Sequence, residues 1–257
     1  MTGVQTCALP ICDRYRDPRC LNRFEQRVCS QGGEDGILAE ILRRVSPLSR
    51  YFVEFGCGDG ENNTAALRLR GFRGLWLDAN ARNVARCRRA FAWAVEATAL
   101  GVAVERLTAE NLETIFRREG VPSEPDVLSI DVDGNDYWLL RAALSSYRPR
   151  VIVIEYNGYL PADLEWTVSY APERVWRGTT YFGASLKSLE KLGQAKGYTL
   201  VGCTLAGVNA FLVRSDLVGD AFAPPFTAEQ LWEPARPFLA TYRGLPREFG
   251  PFTVPRC

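Results

Sequence analysis

The sequence predicts an α/β domain on a doubly wound, mostly parallel sheet of seven strands, finished by a C-terminal antiparallel pair. Three observations predict it. Short apolar runs alternate with helical patterns from residue 37 onward, which is the order of successive βαβ units. Two of the runs, 126–131 (DVLSID) and 151–156 (VIVIEY), are nearly continuous in apolar residues, as strands covered on both faces must be. The last two, 198–203 and 208–214, are separated by a turn at Leu205-Ala206-Gly207, which reads as an antiparallel pair.

The elements follow in order. Ile37, Leu38, Ile41, Leu42 and Val45 recur at helical spacing, with Glu34 and Asp35 at the N-terminal end, where negative charge is favoured, and Pro47 beyond the other. Tyr51–Phe55 is a first strand, running into a glycine turn and a short helix over 63–70 that Gly71 stops. Residues 74–78 form the second strand and 81–91 a helix, whose Arg82, Arg86, Arg88 and Arg89 make its wet face. A third strand falls within 95–107, ahead of a helix over 109–119. The fourth strand, 126–131, leads into a helix with Leu140, Ala143 and Leu144 inward, and Pro149 precedes the fifth, 151–156. A helix over 185–196 places Leu186, Leu189 and Leu192 inward and ends at Gly197. Beyond Asp220, seven prolines make regular structure unexpected. The expected organisation is a leader over 1–12, one domain over 13–219, and a Pro-rich tail over 220–257 packed on it.

Residues 1–11 read, codon for codon, as a translated sequencing-library adapter, and Cys12 adjoins them. That stretch is set aside as an artefactual leader, and the native start is expected to be missing upstream of Asp13.

Composition narrows the chemistry. With no histidine in 257 residues, Ser-His-Asp and Cys-His catalysis and imidazole zinc sites are excluded. Acid–base work then falls to carboxylates, Lys, Tyr or Cys. A net charge of +1 gives no reason to expect nucleic acid as partner. Only Lys187, Lys191 and Lys196 are lysines among the 31 basic residues, so the arginines, spread along the chain, read as GC-rich codon usage. No apolar run approaches the ~18 residues of a membrane span. Of the eight cysteines, Cys7 and Cys12 belong to the leader, and Cys20, Cys29, Cys57, Cys87, Cys203 and Cys257 form no CxxC pair. Free thiols and a cytoplasmic location are expected.

Ligands of doubly wound sheets bind beyond the C-terminal strand ends, and here those ends are polar: Glu54, Asp78, Asp131 with Asp133, and Glu155 with Asn157. Gly56-Cys57-Gly58-Asp59-Gly60 follows the first strand, and glycines permit positive φ and close approach of a nucleoside. The spacing is GxGxG; the dinucleotide fingerprint needs a glycine where Glu61 stands, so an NAD-dependent oxidoreductase is the weaker alternative. Acidic Asp59 and Glu61 suit a cationic ligand without phosphates. Asp78, acceptor-only, matches a ribose diol.

These residues resemble the class I S-adenosylmethionine-dependent methyltransferases, with their Rossmann-like fold. Ser30-Gln31-Gly32-Gly33-Glu34-Asp35-Gly36, residues 128–137 (LSIDVDGNDY), Ile154-Glu155-Tyr156-Asn157 and Gly207-Val208-Asn209-Ala210-Phe211 are together similar to the FkbM-type methyltransferases, over about 30–214. The resemblance implies methyl transfer from S-adenosylmethionine, often to a hydroxyl of a sugar or secondary metabolite, by a small-molecule enzyme. A catalytically inactive cofactor-binding protein is the alternative. Glu54, Gly56, Cys57, Gly58, Asp78 and Asp131 are the expected cofactor residues, and Asp131, Asp133 and Glu155 the expected catalytic acids.

An EF-hand is excluded at 131–142, because Asp136 replaces the required glycine and Ala142 the bidentate Glu. No resident metal is expected. Mg²⁺ on Asp131, Asp133, Glu155 and Asn157 stays open; the other reading has Asp133 and Asn135 capping the next helix and Asn157 shaping a turn. The connection 157–182 carries Tyr159, Trp166, Tyr170, Trp176, Tyr181 and Phe182. It far exceeds a usual loop of about 4–6 residues and reads as a lid, with half its aromatics serving packing alone.

Overall fold

The computed structural model of the chain describes residues 13–58, 60–240 and 244–255. The expected leader, Asp59 and Cys257 lie outside the described residues. Seven strands form one sheet: β1 (Tyr51–Phe55), β2 (Arg73–Asp78), β3 (Leu100–Val104), β4 (Val127–Ile130), β5 (Val151–Glu155), β7 (Tyr198–Cys203) and β8 (Asn209–Arg214). Their order is β3-β2-β1-β4-β5-β8-β7. All pairs are parallel except those of β8, which runs antiparallel between β5 and β7. Strand order reverses at β1 and β4, which is where a crevice opens in such sheets.

Period-2 alternation sorts the strand residues onto two faces. Val53, Phe55, Leu75, Leu77, Ile130 and Ile154 pack under α5 (Leu112–Arg118), α6 (Asp136–Ala143) and α7 (Leu186–Ala195). Phe52, Trp76, Val127, Val153 and Phe211 pack under α1 (Glu34–Val45), α2 (Ala65–Leu69) and α3 (Ala81–Ala90). Both cores hold near-continuous Val, Ile, Leu and Phe, so the strand tips are the place where polar side chains can be accommodated.

Several details differ from expectation. The helix predicted over 81–91 breaks at Phe91, whose ring turns edge-on to Trp76 at 4.8 Å, and a further short helix, α4 (Ala92–Glu96), follows. The tail is not irregular throughout. It contains α8 (Ala228–Leu231), α9 (Pro237–Ala240) and β9 (Phe252–Thr253), and β9 pairs antiparallel with β6 (Thr167–Val168) of the long connection. Proline spacing excludes long elements but leaves room for single turns and two-residue bridges. Phe222 and Ala228 are themselves core residues.

Residues 233–236 are tied down at both ends. The Tyr156 hydroxyl donates to the Glu233 carbonyl at 2.6 Å, the Ala235 N–H donates to Gly158 O, and the Arg236 N–H to Ala206 O. Tyr156→Phe removes the buried hydroxyl bond, at a cost of about 1–2 kcal/mol. Limited proteolysis is expected to cut the variant faster beyond residue 232 than the parent; equal cutting would show that the bond does not hold the tail.

Candidate active site

A cavity of about 920 Å³ opens at the strand tips, within the range of small-molecule sites. Its floor draws Gly56, Gly58, Asp78, Asn80 and Asn83 from the loops after β1 and β2 and the start of α3, and Asp131, Asp133 and Glu155 from the tips of β4 and β5. Gly56 (φ +78) has no room for a side chain: a Cβ there would sit 1.7 Å from the Asp131 carbonyl oxygen. The loop after β1 therefore crosses tightly over the tip of β4, and both halves of the floor share one turn.

The Asp78 carboxylate ties the glycine loop to β2. Its Oδ2 accepts from the Gly58 N–H (3.0 Å) and Asn83 Nδ2 (3.1 Å), and its Oδ1 from the Asn80 N–H (2.7 Å). A carboxylate offers about four acceptor positions, so Oδ1 keeps one free. Glu54 lines the cavity, but its oxygens already accept from the Asn63 and Thr64 N–H groups and the Thr64 and Ser129 hydroxyls. It braces the start of α2 from below. Burial outweighs those donors and pushes its carboxyl up to about 7. Cys57 turns its thiol away from the cavity, 3.6 Å from the Cys87 sulfur and fully buried. The thiol is raised by its bond to Cys87 and by burial, so it packs and does not react.

The acids at the tips of β4 and β5 differ in kind. Burial, and then the neighbouring carboxylates, hold Asp131 and Glu155 well above the usual carboxylate range; burial, and then Asp78, raise Asp133. Carboxylate oxygens of Asp131, Asp133 and Glu155 all lie within 4.8 Å of one another. Asn157 does not join them. Its amide donates to the Thr180 and Phe182 carbonyls and accepts from the Tyr159 N–H, so it shapes the loop. The expected helix caps are also reassigned. Asp136 accepts from the Val132 and Gly134 N–H groups, both at 2.8 Å, and is pushed up to about 6, mainly by burial. Asn135 reaches outward instead, bonding the Ala171 carbonyl and N–H. Asp133, at φ +57, is left facing the cavity.

The long connection covers the opening with half its aromatics. Tyr159, Trp176 and Phe182 line the cavity. Trp166 and Tyr181 instead pack on Phe252 of the tail, and Tyr170 bonds Glu110 and lies beside Trp138.

Two lining residues, Glu34 and Asn209, lie within the motifs that carry the family resemblance, yet the contact between them is not legible in the sequence. Glu34, buried at the start of α1, accepts from Asn209 Nδ2 at 3.0 Å and from the Gly32 N–H; its sequence signal is indistinguishable from a favourable helix-dipole charge. Asn209 lies opposite Glu155 in the β5–β8 register, which no local pattern reveals. Asp35, by contrast, gathers the Val28, Cys29 and Ser30 N–H groups on Oδ2 and supports the loop rather than the cavity.

The sheet order, the single inserted antiparallel strand and the cavity over the glycine turn define a Rossmann-like methyltransferase fold. The chain belongs to the methyltransferase FkbM domain family, whose model matches residues 48–194. It is similar to the solved O-methyltransferase of Bacillus cereus in complex with SAH (17% identity, 68% of this chain and 77% of that one, TM-score 0.43). It is also similar to magnesium protoporphyrin IX methyltransferase of Synechocystis PCC 6803 with bound SAM (13%, 79% and 90%, 0.43). A third is an S-adenosylmethionine-dependent methyltransferase of Clostridium acetobutylicum ATCC 824 (10%, 68% and 88%, 0.43). Among curated proteins no sequence matches. Among the described residues, no helix is long and apolar enough to cross a membrane.

Proposed function

We propose that the chain is an S-adenosylmethionine-dependent O-methyltransferase acting in the cytoplasm on a hydroxyl of a small sugar or secondary metabolite. The observation that carries this reading is a single cavity lined both by Asp78 and the glycine turn and by three crowded carboxyls. The fit is chemical: eight carboxyl side chains line the cavity against three arginines, Arg106, Arg174 and Arg236, and that acidic balance suits a cationic, phosphate-free nucleoside. When bound, S-adenosylmethionine supplies an electrophilic methyl group on a positively charged sulfur. Asp78 Oδ1 would take a ribose hydroxyl, and the backbone of Gly56 and Gly58 would let the nucleoside lie close. Asp131, Asp133 and Glu155 would orient the acceptor and receive the hydroxyl proton as the oxygen–methyl bond forms; raised pKa values suit a base near neutrality. Tyr159, Trp176 and Phe182 offer apolar faces to the acceptor and limit water, and most of the chain's catalytic work is positioning.

A panel of hydroxylated sugars and metabolites with labelled methyl donor tests the reaction, and transfer to oxygen is expected. Binding of S-adenosylhomocysteine with no transfer to any acceptor would favour a catalytically inactive binder, and binding of NAD in its place would reject the reading. Asp78→Ala is expected to weaken S-adenosylhomocysteine by roughly tenfold to a hundredfold, from loss of charge-assisted hydrogen bonds worth about 1.5–3 kcal/mol. Calorimetry showing unchanged affinity would remove Asp78 from the cofactor site.

A further inference from the structure

Strand register builds a row of oxygen ligands that the methyl-transfer reading does not require. Ile130 pairs with Ile154, so Asp131 and Glu155 are the next residues in step on β4 and β5, and Glu155 pairs with Asn209 on β8. Residues in step on adjacent strands present their side chains to the same face. Here that face is the one covered by α1, as the neighbouring Val153 and Phe211 show. Asp133 turns its carboxylate back to the same place, giving three carboxylates with oxygens within 4.8 Å of one another.

Two buried atoms in this row have no partner, and both are acceptors. Glu155 is only 9% exposed and its Oε2 receives no hydrogen bond. Asn209 is 3% exposed; its Nδ2 is spent on Glu34, and its Oδ1 receives nothing. Leaving such groups unsatisfied in a buried place is costly, so something with positive charge or donor hydrogens belongs between them. The main influences on Asp131 and Glu155 are burial and neighbouring carboxylates, with no lysine or arginine among them.

We propose that Asp131, Asp133 and Glu155, with Asn209 Oδ1 beside them, form a site for one hard divalent cation in the cavity. The donor set is all oxygen, which selects Mg²⁺, Mn²⁺ or Ca²⁺ over softer metals. Two oxygens on one ion can be no farther apart than twice its bond length, about 4.2 Å for Mg²⁺ and about 5 Å for Ca²⁺. With the three oxygens within 4.8 Å of one another, Ca²⁺ needs the smaller closing movement of the side chains and Mg²⁺ or Mn²⁺ the larger. The cation site stands on geometry alone. Its consequence for chemistry, a lowered pKa and fixed orientation for the acceptor hydroxyl, rests on the methyl-transfer reading.

The test uses the whole chain stripped with a chelator and titrated calorimetrically with MgCl₂, MnCl₂ and CaCl₂, with S-adenosylhomocysteine titrated separately. One ion per chain is expected to bind at micromolar to millimolar concentration and to raise the thermal midpoint. Glu155→Gln is expected to weaken it roughly tenfold or more, while melting in chelator at or above the parent's temperature shows that the variant folds. No binding at millimolar ion, or equal binding by Glu155→Gln, overturns the proposal. If S-adenosylhomocysteine binds and no ion does, the cation site fails and the methyltransferase reading survives. If an ion binds and S-adenosylhomocysteine does not, the cation site survives and the methyltransferase reading fails.

Discussion

Gly56→Ala is expected to be the most damaging small substitution in the chain, destabilising it by more than about 4 kcal/mol. Two costs add. The backbone sits at φ +78, where an L side chain is strained by about 1–2 kcal/mol. The new Cβ would also meet the Asp131 carbonyl oxygen at 1.7 Å, and neither partner can rotate away because both are main chain. Relief requires parting β1 from β4, which share the register Phe55 to Ile130 beneath the loop. Gly58→Ala is the matched control: φ is +55, nothing lies within 4 Å, and only the conformational cost of about 1–2 kcal/mol applies. Thermal melts of the two variants decide the point. If Gly56→Ala melts within a few degrees of Gly58→Ala, the tight crossing of the loop over β4 is not a structural requirement.

Glu54→Gln is expected to change how stability depends on pH. Folded Glu54 titrates at about 7 against an ordinary value of 4.5, so the folded chain holds that proton more tightly than the unfolded one. Its contribution is fully present below pH 4.5 and is lost as pH rises through 7, a swing of about 3 kcal/mol. Glutamine cannot ionise, so that swing disappears in the variant. It also turns an N–H₂ group toward groups that donate to Glu54, and the variant is expected to be less stable than the parent at pH 5. That deficit should shrink by about 2.5 kcal/mol between pH 5 and pH 8. Urea denaturation of both proteins at the two pH values measures it, and an unchanged deficit would mean that Glu54 is ionised throughout.

The contrast between fold and site shows what sequence can carry. The strands announce themselves because both faces are buried: runs such as VIVIE admit no other reading at that length. Their tips are equally legible, since a carboxylate ending an apolar run is conspicuous, and Asp78, Asp131, Asp133 and Glu155 all line the cavity. What is lost is everything set by register or by competition for donors. Asn209 meets Glu155 only because β8 enters the sheet antiparallel beside β5. Asp136 takes the N–H groups expected of Asp133 and Asn135, since its two oxygens reach both Val132 and Gly134. Cys57 sits within a lining loop yet faces the helix behind it, because alternate residues of a tight turn cannot share one side. The β6–β9 pairing joins segments far apart in the chain through two residues each, too few for any periodicity to register.

The placement of β8 also sets an order of events as the chain leaves the ribosome. It is the last of the seven strands to be synthesised but the sixth in spatial order, flanked on both sides. Until it emerges, Val151–Glu155 is a nascent border with its hydrogen-bonding groups bare and its side chains apolar, the kind of margin that recruits a second polypeptide. Asn209 is its first residue, so the acidic part of the crevice is completed only when that margin is sealed. The strand that seals this margin is thus also the one that brings Asn209 to the crevice.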